Sequence, residues 1–448
     1  MKKKIDILVI GGGPAGMISA VTAKRYYPEK KILVMKDIEK GVIPCGIPYM
    51  LSSLKNPEDN KLGVAALKGK NIDVVIDQAI KIDRKKKSVI TKNNDIYYYE
   101  KLVLTVGSSP IIPAIPGIDK KGIYPIYKDM EYLKNFIKEV KEAKNVLVLG
   151  GGFIGIEFAD ELFKIDSLNI YLVESLPNLL SNSFDIEFSK LAREKLESKG
   201  VKVLTGIQVE EFYGNDRVEK VKVSNDKEIK VDAVILGIGA SPNIKIAQDA
   251  GLNLGKGKGI WVDEYMRTVD PDIFAVGDCA GKKDFYTRKG IPVMLASTAT
   301  AEARIAGANL YELKVIRENK GTIAIYSTYI DGLVLGSAGL TENSAKKESF
   351  EIVTGIVAGV DKHPAGMPGA NQIKVKLIFS KQSGVILGGQ VAGGISCGEI
   401  INVIGIAIQK RMSFTELETL QMATHPFLTS APTVYPVVLA AQDASGKM

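Results

Sequence analysis

The sequence predicts an α/β chain in which one βαβ architecture occurs twice and a third domain of α+β type follows. Residues 5–20 read IDILVIGGGPAGMISA and residues 145–159 read NVLVLGGGFIGIEFA; each is an apolar strand, a G-x-G-x-x-G turn and a helix of small residues. Each copy has a later echo, KLVLTVGSSP at 101–110 and AVILGIGASP at 233–242, so a unit of similar length is present twice. Beyond about residue 320 the pattern changes to alternating segments with turn signals, the signature of an antiparallel sheet.

Along the chain, Pro110, Pro113, Pro116 and Gly117 punctuate the connection between the repeats. An amphipathic helix follows with Leu133, Phe136, Ile137 and Val140 on one face, and a second carries Phe188, Leu191, Ala192 and Leu196 and stops at Gly200. In the third domain TIAIYSTYI, LVLGSAGLT, FEIVTGIVA, IKVKLIFS and VILGGQVA alternate around the turns Asp331-Gly332 and Ser383-Gly384. Two helices then follow, the second opened by a capping box of Ser413 and Glu416. The boundaries that result are 1–115 and 251–320 for a first domain in two segments, 116–250 for a second domain inserted in it, and 321–448 for the third.

Composition excludes several classes. At 448 residues, 46% hydrophobic and 25% charged, the chain is long enough for about three globular domains and unlike disordered, collagenous or coiled-coil sequences. Cys45, Cys279 and Cys397 have neither the density of a disulfide scaffold nor metal-ligand spacing, which implies a reduced, cytoplasmic protein with no metal site. The net charge of +8 comes from dispersed lysines without an interleaved aromatic platform, so nucleic acid is not expected as a partner. No apolar stretch is long enough to span a membrane, and the glycines and Pro14 interrupt what superficially resembles a signal peptide.

The chemistry begins at the glycines. In Gly11, Gly13 and Gly16, and again in Gly150, Gly152 and Gly155, the first permits a tight turn and the second lets backbone approach a pyrophosphate. The third lets helix pack on strand, and the phosphates meet the helix N-terminus. Two Rossmann-like dinucleotide-binding domains follow, with Pro14, Ala15 and Ile154 completing the loops. Glu174 ends the strand NIYLVE, where a carboxylate accepts from a ribose diol and repels a 2′-phosphate, so NADH is favoured over NADPH. In the first copy the equivalent position is read as Met35, so either some other group or the backbone and side chain of Lys36 beside it holds the ribose.

With TVDPDIFAVGD at 268–278 added, the chain resembles the FAD-dependent pyridine nucleotide-disulfide oxidoreductases over nearly its whole length. The resemblance implies FAD at the first fingerprint, with Thr105 and Gly107 in a T-x-G segment and Gly239 in its echo. It also implies the Asp278 carboxylate on the ribityl chain and a helix starting near Ala296 beneath the flavin. NADH is implied at the second fingerprint with Glu157 on the nicotinamide side, and the third domain is implied to form a homodimer interface.

Cys45, in IPCGIPYM, lies where this family places its redox centre. A two-cysteine member needs a partner at position 40 or 50, and these are Lys40 and Met50, so the resemblance is to the single-cysteine branch of NADH oxidases, NADH peroxidases and coenzyme A disulfide or polysulfide reductases. Gly46 and Pro48 suggest a helix N-terminus that lowers the thiol pKa. Oxidase and peroxidase members carry a His in the first glycine loop where this chain has Pro14, which shifts the expectation from an oxygen acceptor toward a sulfur acceptor such as a coenzyme A derivative. His425, in ATHPFLTSAP, resembles the acid/base of two-cysteine relatives, with Ser430 where they have a carboxylate. Tyr435 stands as a substitute for the tyrosine that the coenzyme A disulfide branch carries where Met367 lies here. Two other classes stay open at this point. Gly394-Ile-Ser396-Cys-Gly398 matches the hydrolase elbow G-x-S-x-G, although no Asp lies between Ser396 and His425. The second is a flavoprotein without turnover that acts as a redox-responsive binding module.

Overall fold

The computed structural model describes residues 1–448, which divide into two compact units. The first comprises Met1–Ile111, Ile126–Lys138 and Ala240–Thr322, and the second Ile112–Pro125, Glu139–Gly239 and Ile323–Met448.

The first unit is built on a seven-stranded sheet. Strands Asp73–Ile76, Ile32–Lys36, Lys2–Ile10 and Ile96–Leu104 lie side by side in parallel, and Ile273–Ala275 adds to Ile96–Leu104 in the same sense. Ser88–Thr91 and Ala79–Asp83 extend the sheet antiparallel. Strand Lys2–Ile10 starts exposed and ends in four buried residues, Ile7 to Ile10, as a strand covered on both faces must. Because it neighbours both Ile32–Lys36 and Ile96–Leu104, its carboxyl end is the point where the connections diverge, and there the chain turns into helix Pro14–Tyr26.

The second unit repeats the arrangement with the parallel order Lys202–Thr205, Asn169–Glu174, Asn145–Leu149, Ala233–Leu236 and Ile123–Pro125. Helix Phe153–Phe163 leaves the end of Asn145–Leu149, and helix Ile186–Ser198 buries Phe188, Ala192 and Leu196 of the predicted face while Leu191 is only half-buried. The helix carrying Leu133, Phe136, Ile137 and Val140 spans Met130–Glu142, with all four buried, and its residues up to Lys138 are counted in the first unit.

The expected C-terminal sheet is present as five antiparallel strands, in the order Tyr326–Ile330, Leu333–Gly339, Ile386–Gly393, Gln372–Ser380 and Ile352–Val360. Helices Cys397–Lys410 and Phe414–Glu418 follow, the latter with both bonds of the Ser413–Glu416 capping box. A further helix, Pro436–Ser445, is not anticipated from sequence; Pro436 there occupies a first-turn position, where its missing N–H costs nothing. Buried Lys376 is tolerated in this unit because Asp185, Glu187 and Glu342 surround its ammonium at 2.9, 2.5 and 2.7 Å. Burial pulls its pKa down, but the three carboxylates outweigh that and hold it above the ordinary lysine value. No helix is long and apolar enough to cross a membrane.

Candidate active site

Both fingerprints have the geometry of a phosphate cradle. Gly11 and Gly150 sit at φ +116° and +109°, and a Cβ on either would lie 2.1 Å from the Thr105 carbonyl oxygen or 2.6 Å from that of Gly237. A Cβ on Gly16 or Gly155 would meet the carbonyl oxygen of Gly11 or Gly150 at 2.0 and 1.8 Å, so helix and strand are in direct backbone contact. The middle glycines differ. Gly13 and Gly152 are extended, at φ −77° and −78°, and a Cβ on either meets nothing within 4 Å. Neither backbone strain nor any protein atom requires glycine there. A group arriving from outside against the helix N-terminus has room there, and a dinucleotide pyrophosphate fits both places.

Where the second strand of each copy ends beside the glycine turn, the two copies are chemically inverted. The Glu174 carboxylate accepts from the backbone N–H of Gly151 at 2.6 Å and of Leu176 at 2.7 Å, and its Cβ packs where a Cβ on Gly151 would come within 2.9 Å. Its counterpart is Lys36, not Met35. Ile10 pairs with Met35 and Leu149 with Val173, Gly11 and Gly150 donate to the carbonyls of Met35 and Val173, and the Lys36 Cβ lies 2.9 Å from a Cβ built on Gly12. The sequence reading is offset by one because the stretch from the third glycine to the strand end is one residue longer in the first copy. Lys36 is buried, donates to the Glu39 carbonyl at 3.1 Å, and burial lowers its pKa.

Still in the first unit, Thr105 is buried and donates from Oγ1 to the carbonyls of Ile10 and Gly11, which fixes the fingerprint turn. Gly107 has φ +67°, and its carbonyl accepts from Asn243 N–H. Asp278 lies in the short turn Gly277–Cys279, where its Oδ2 accepts from Ser108 Oγ at 2.7 Å and faces Lys128 Nζ at 3.4 Å. Lys128 also donates to Ser108 Oγ at 2.9 Å. Ala296 is the first residue of helix Ala296–Ala308, half-buried.

Cys45 is exposed, whereas Cys279 and Cys397 are fully buried, with thiols that burial pushes up to about 11 and about 12. The helix expected at Cys45 is instead two separate three-residue 3₁₀ turns, Pro44–Gly46 and Pro48–Met50. Pro48 has no N–H to give the Pro44 carbonyl, which is taken by Ile47 at 3.2 Å, so no α-helical ladder starts and no macrodipole acts on the thiol. The loop is held by Asn60. Its carbonyl accepts from Ile43 N–H at 2.9 Å, its side-chain amide donates to the Ile43 carbonyl at 3.1 Å, and its Oδ1 occupies the space a Cβ on Gly46 would need. The ion pairs of Lys40 with Glu131 and of Lys134 with Glu58 fasten the same segment.

In the second unit, Glu157 Oε1 accepts from Thr328 Oγ1 at 2.9 Å; burial, with Asp160 nearby, raises its carboxyl pKa to about 7. Ile154 is exposed one turn before it, and Gly239 is an exposed glycine at φ +101°. His425 is exposed, and its Nδ1 accepts from Phe427 N–H at 3.2 Å. Ser430 does not orient it, since its hydroxyl donates to the Val360 carbonyl at 2.7 Å. Tyr435 is half-buried at the start of helix Pro436–Ser445, with its phenol pKa raised by burial. Cys45 and Asp278 thus belong to the first unit, and Glu157, His425 and Tyr435 to the second. Ser396 donates to Asp361 Oδ2 at 3.4 Å rather than to an imidazole, so the elbow motif has no base.

The family profile described as pyridine nucleotide-disulphide oxidoreductase matches residues 5–303, and that of the family's dimerisation domain matches 325–434. The chain belongs to the pyridine nucleotide-disulphide oxidoreductase family. An NADH oxidase of Methanocaldococcus jannaschii is 32% identical across 98% of this chain and 99% of its own. An NAD(P)H coenzyme A polysulfide/persulfide reductase of Pyrococcus horikoshii is also 32% identical, across 88% of each chain. Among solved structures, an NAD-dependent persulfide reductase from A. fulgidus superposes with a TM-score of 0.92 at 31% identity, covering 100% of this chain and 83% of its own. As a member of the family the chain is an FAD-dependent NAD(P)H oxidoreductase, which retires the hydrolase and the non-turnover readings. Around its candidate site this oxidoreductase carries four residues that sequence reasoning missed: Asn60, Ser108, Lys128 and Thr328. Ser108 stands inside the recognised echo 101–110 and Thr328 inside the strand segment TIAIYSTYI, and neither signal marked the residue itself.

Proposed function

We propose that this oxidoreductase passes electrons from NADH to a disulfide, persulfide or polysulfide through Cys45 alone. The observation that carries the reading is the accessibility of the thiols: one of three is exposed, it has no cysteine five residues away on either side, and the other two are buried and inert. In this reading residues 1–115 and 251–320 form the FAD domain, 116–250 the NADH domain and 321–448 the dimerisation domain of a cytoplasmic homodimer.

When bound, FAD supplies the hydride acceptor for NADH and the two-electron donor to sulfur. The protein's own residues do the rest. Gly11, Gly13, Pro14, Ala15 and Gly16 bind the FAD pyrophosphate, Lys36 donates to the ribose, and Asp278, held by Ser108 and Lys128, takes the ribityl hydroxyls. Gly150, Gly152 and Gly155 bind NADH, and Glu174 selects an unphosphorylated ribose. Cys45 Sγ, as thiolate, attacks the acceptor sulfur and expels a thiolate or hydrosulfide, leaving a mixed disulfide or persulfide. The electron pair that originates in NADH then breaks that S–S bond; of the two protons that the two released sulfur groups need, one derives from the NADH hydride and one from water. In the proposed homodimer, where each site uses both chains, His425 of the partner subunit and Tyr435 of the partner subunit serve as proton donors to the leaving sulfur. Pro14, where oxidases place a His, favours sulfur over oxygen. The competing reading, reduction of dioxygen or peroxide with Cys45 cycling as sulfenate, is favoured by the nearly full-length likeness to the NADH oxidase of M. jannaschii.

An acceptor panel with NADH separates the two. Coenzyme A disulfide, coenzyme A persulfide or polysulfide is expected to turn over faster than peroxide or dioxygen, and mass spectrometry of the denatured protein is expected to find coenzyme A or sulfane sulfur on Cys45. Faster turnover with oxygen, and sulfenate at Cys45, would establish the second reading instead.

Glu157 gives a pH dependence of known sign. Its folded-state pKa is raised to about 7 from an ordinary 4.5, so between those values the folded protein holds a proton that the unfolded chain has released. Stability therefore falls as pH rises through that window and levels off above about 7. Glu157→Gln is expected to be neutral at pH 4 and stabilising at pH 8, by up to about 3 kcal/mol, measured by denaturant unfolding of the apoprotein. The same substitution is expected to flatten NAD⁺ affinity between pH 6 and 8, because the carboxylate that forms there favours the cationic nicotinamide.

A further inference from the structure

Lys282 and Glu302 form an ion pair in the first unit with side-chain exposures of only 5% and 2%. Every donor of the lysine is used: Nζ bonds the carbonyls of Gly277 at 2.6 Å and Ala280 at 2.9 Å and Glu302 Oε2 at 3.0 Å. The carboxylate is equally engaged, since Oε2 also accepts from Gly277 N–H at 2.9 Å and Oε1 from Asn319 Nδ2 at 3.4 Å. The pair therefore grips Gly277 from both sides, its N–H by the acid and its carbonyl by the base.

Gly277 needs that grip. It stands at φ +75°, a Cβ on it would come within 2.9 Å of Ala15 Cβ in the first fingerprint, and it is followed by Asp278. Glu302 itself rides in helix Ala296–Ala308, whose first residue is Ala296. One buried pair thus ties together the fingerprint neighbour Gly277, the Asp278 turn and the helix that begins at Ala296. A buried ion pair returns little net stability once its desolvation is counted, and here its bonds converge on the Gly277 backbone, which points to orientation.

We propose that Lys282 and Glu302 are positioning residues that fix the Gly277–Asp278 turn and so hold the Asp278 carboxylate in the orientation that binds the FAD ribityl chain. The proposal rests on the assignment of Asp278 to FAD made above. It acts through geometry, not through contact of either side chain with the cofactor.

Three variants test it, read by FAD dissociation constant, the visible circular dichroism of bound flavin, and the thermal midpoint of the apoprotein. Lys282→Met leaves the Glu302 carboxylate buried without a counter-ion and is expected to lower the midpoint and weaken FAD. The double variant Lys282→Met with Glu302→Gln removes the stranded charge and keeps the acceptor for Gly277 N–H, while its carbonyl loses the Lys282 donor. Its midpoint is expected to recover, but FAD binding to stay about tenfold weak, the equivalent of a lost hydrogen bond, with an altered flavin dichroism. A double variant that recovers FAD binding together with its midpoint, that recovers neither, or that does not fold overturns the proposal, because the pair would then be a stability device only. Asp278→Ala is the control. Binding of FAD at parental affinity by that variant overturns the assignment of Asp278 and the clamp's purpose with it, whereas recovery in the double variant removes only the clamp.

Discussion

Cys45→Ser is expected to abolish turnover of disulfide, persulfide and polysulfide acceptors, a loss on the order of 10³-fold or more, while NADH still bleaches the bound flavin in a single half-reaction. A serine hydroxyl has neither the acidity nor the sulfur chemistry to form the S–S bond on which the transfer depends. No other thiol can take over: Cys279 lies 0% exposed with its thiol pKa near 11, and Cys397 is 0% exposed with its pKa near 12, both because of burial. Rapid mixing with NADH, followed by steady-state assays on each acceptor, separates the two half-reactions. Retained turnover with sulfur acceptors would falsify the role given to Cys45, and a variant that loses sulfur turnover yet gains dioxygen consumption would mark flavin left to react directly with oxygen.

Gly13→Val and Gly152→Val are expected to separate the two nucleotides. Both backbones are extended, where valine is at home, and both positions face open space, so the fold tolerates either side chain. The branched side chain stands instead where a pyrophosphate must come against the helix N-terminus. Gly13→Val is expected to purify without flavin. Gly152→Val is expected to stay yellow while the KM for NADH rises by about 10²-fold or more, with thermal midpoints of both apoproteins close to the parent's. Flavin lost from Gly152→Val and kept by Gly13→Val would reverse the assignment of the two fingerprints.

What could be read in the sequence follows from how local the physics is. The two fingerprints were legible because strand, glycine turn and helix are consecutive, and the C-terminal sheet because its alternation and turn residues lie in each hairpin. The position of Lys36 was not, because counting from the glycines assumes equal connections, and only the pairing of Ile10 with Met35 sets the register. Asn60, Lys128 and the Lys282–Glu302 pair were illegible for another reason. Lys128 acts on Asp278, Glu302 on Gly277 and Asn60 on Ile43, all distant in the chain, and each is by type an ordinary polar residue. The helix expected at Cys45 failed because Pro44 and Pro48 each open a turn and together allow no longer one.

Strand Ile273–Ala275 joins the first unit's sheet against Ile96–Leu104, and Gly277, Lys282 and Glu302 follow it. During synthesis, a ribosome must therefore travel from residue 104 to beyond residue 302 before that sheet has its last strand and its turn has its clamp. Closing a loop of that length costs only a few kcal/mol of chain entropy, but it is a cost in waiting: Leu102, Val103 and Leu104, fully buried in the finished fold, form an open edge for as long as the inserted segment is being made. Nascent chains halted before residue 270 are accordingly where chaperone engagement and aggregation should concentrate.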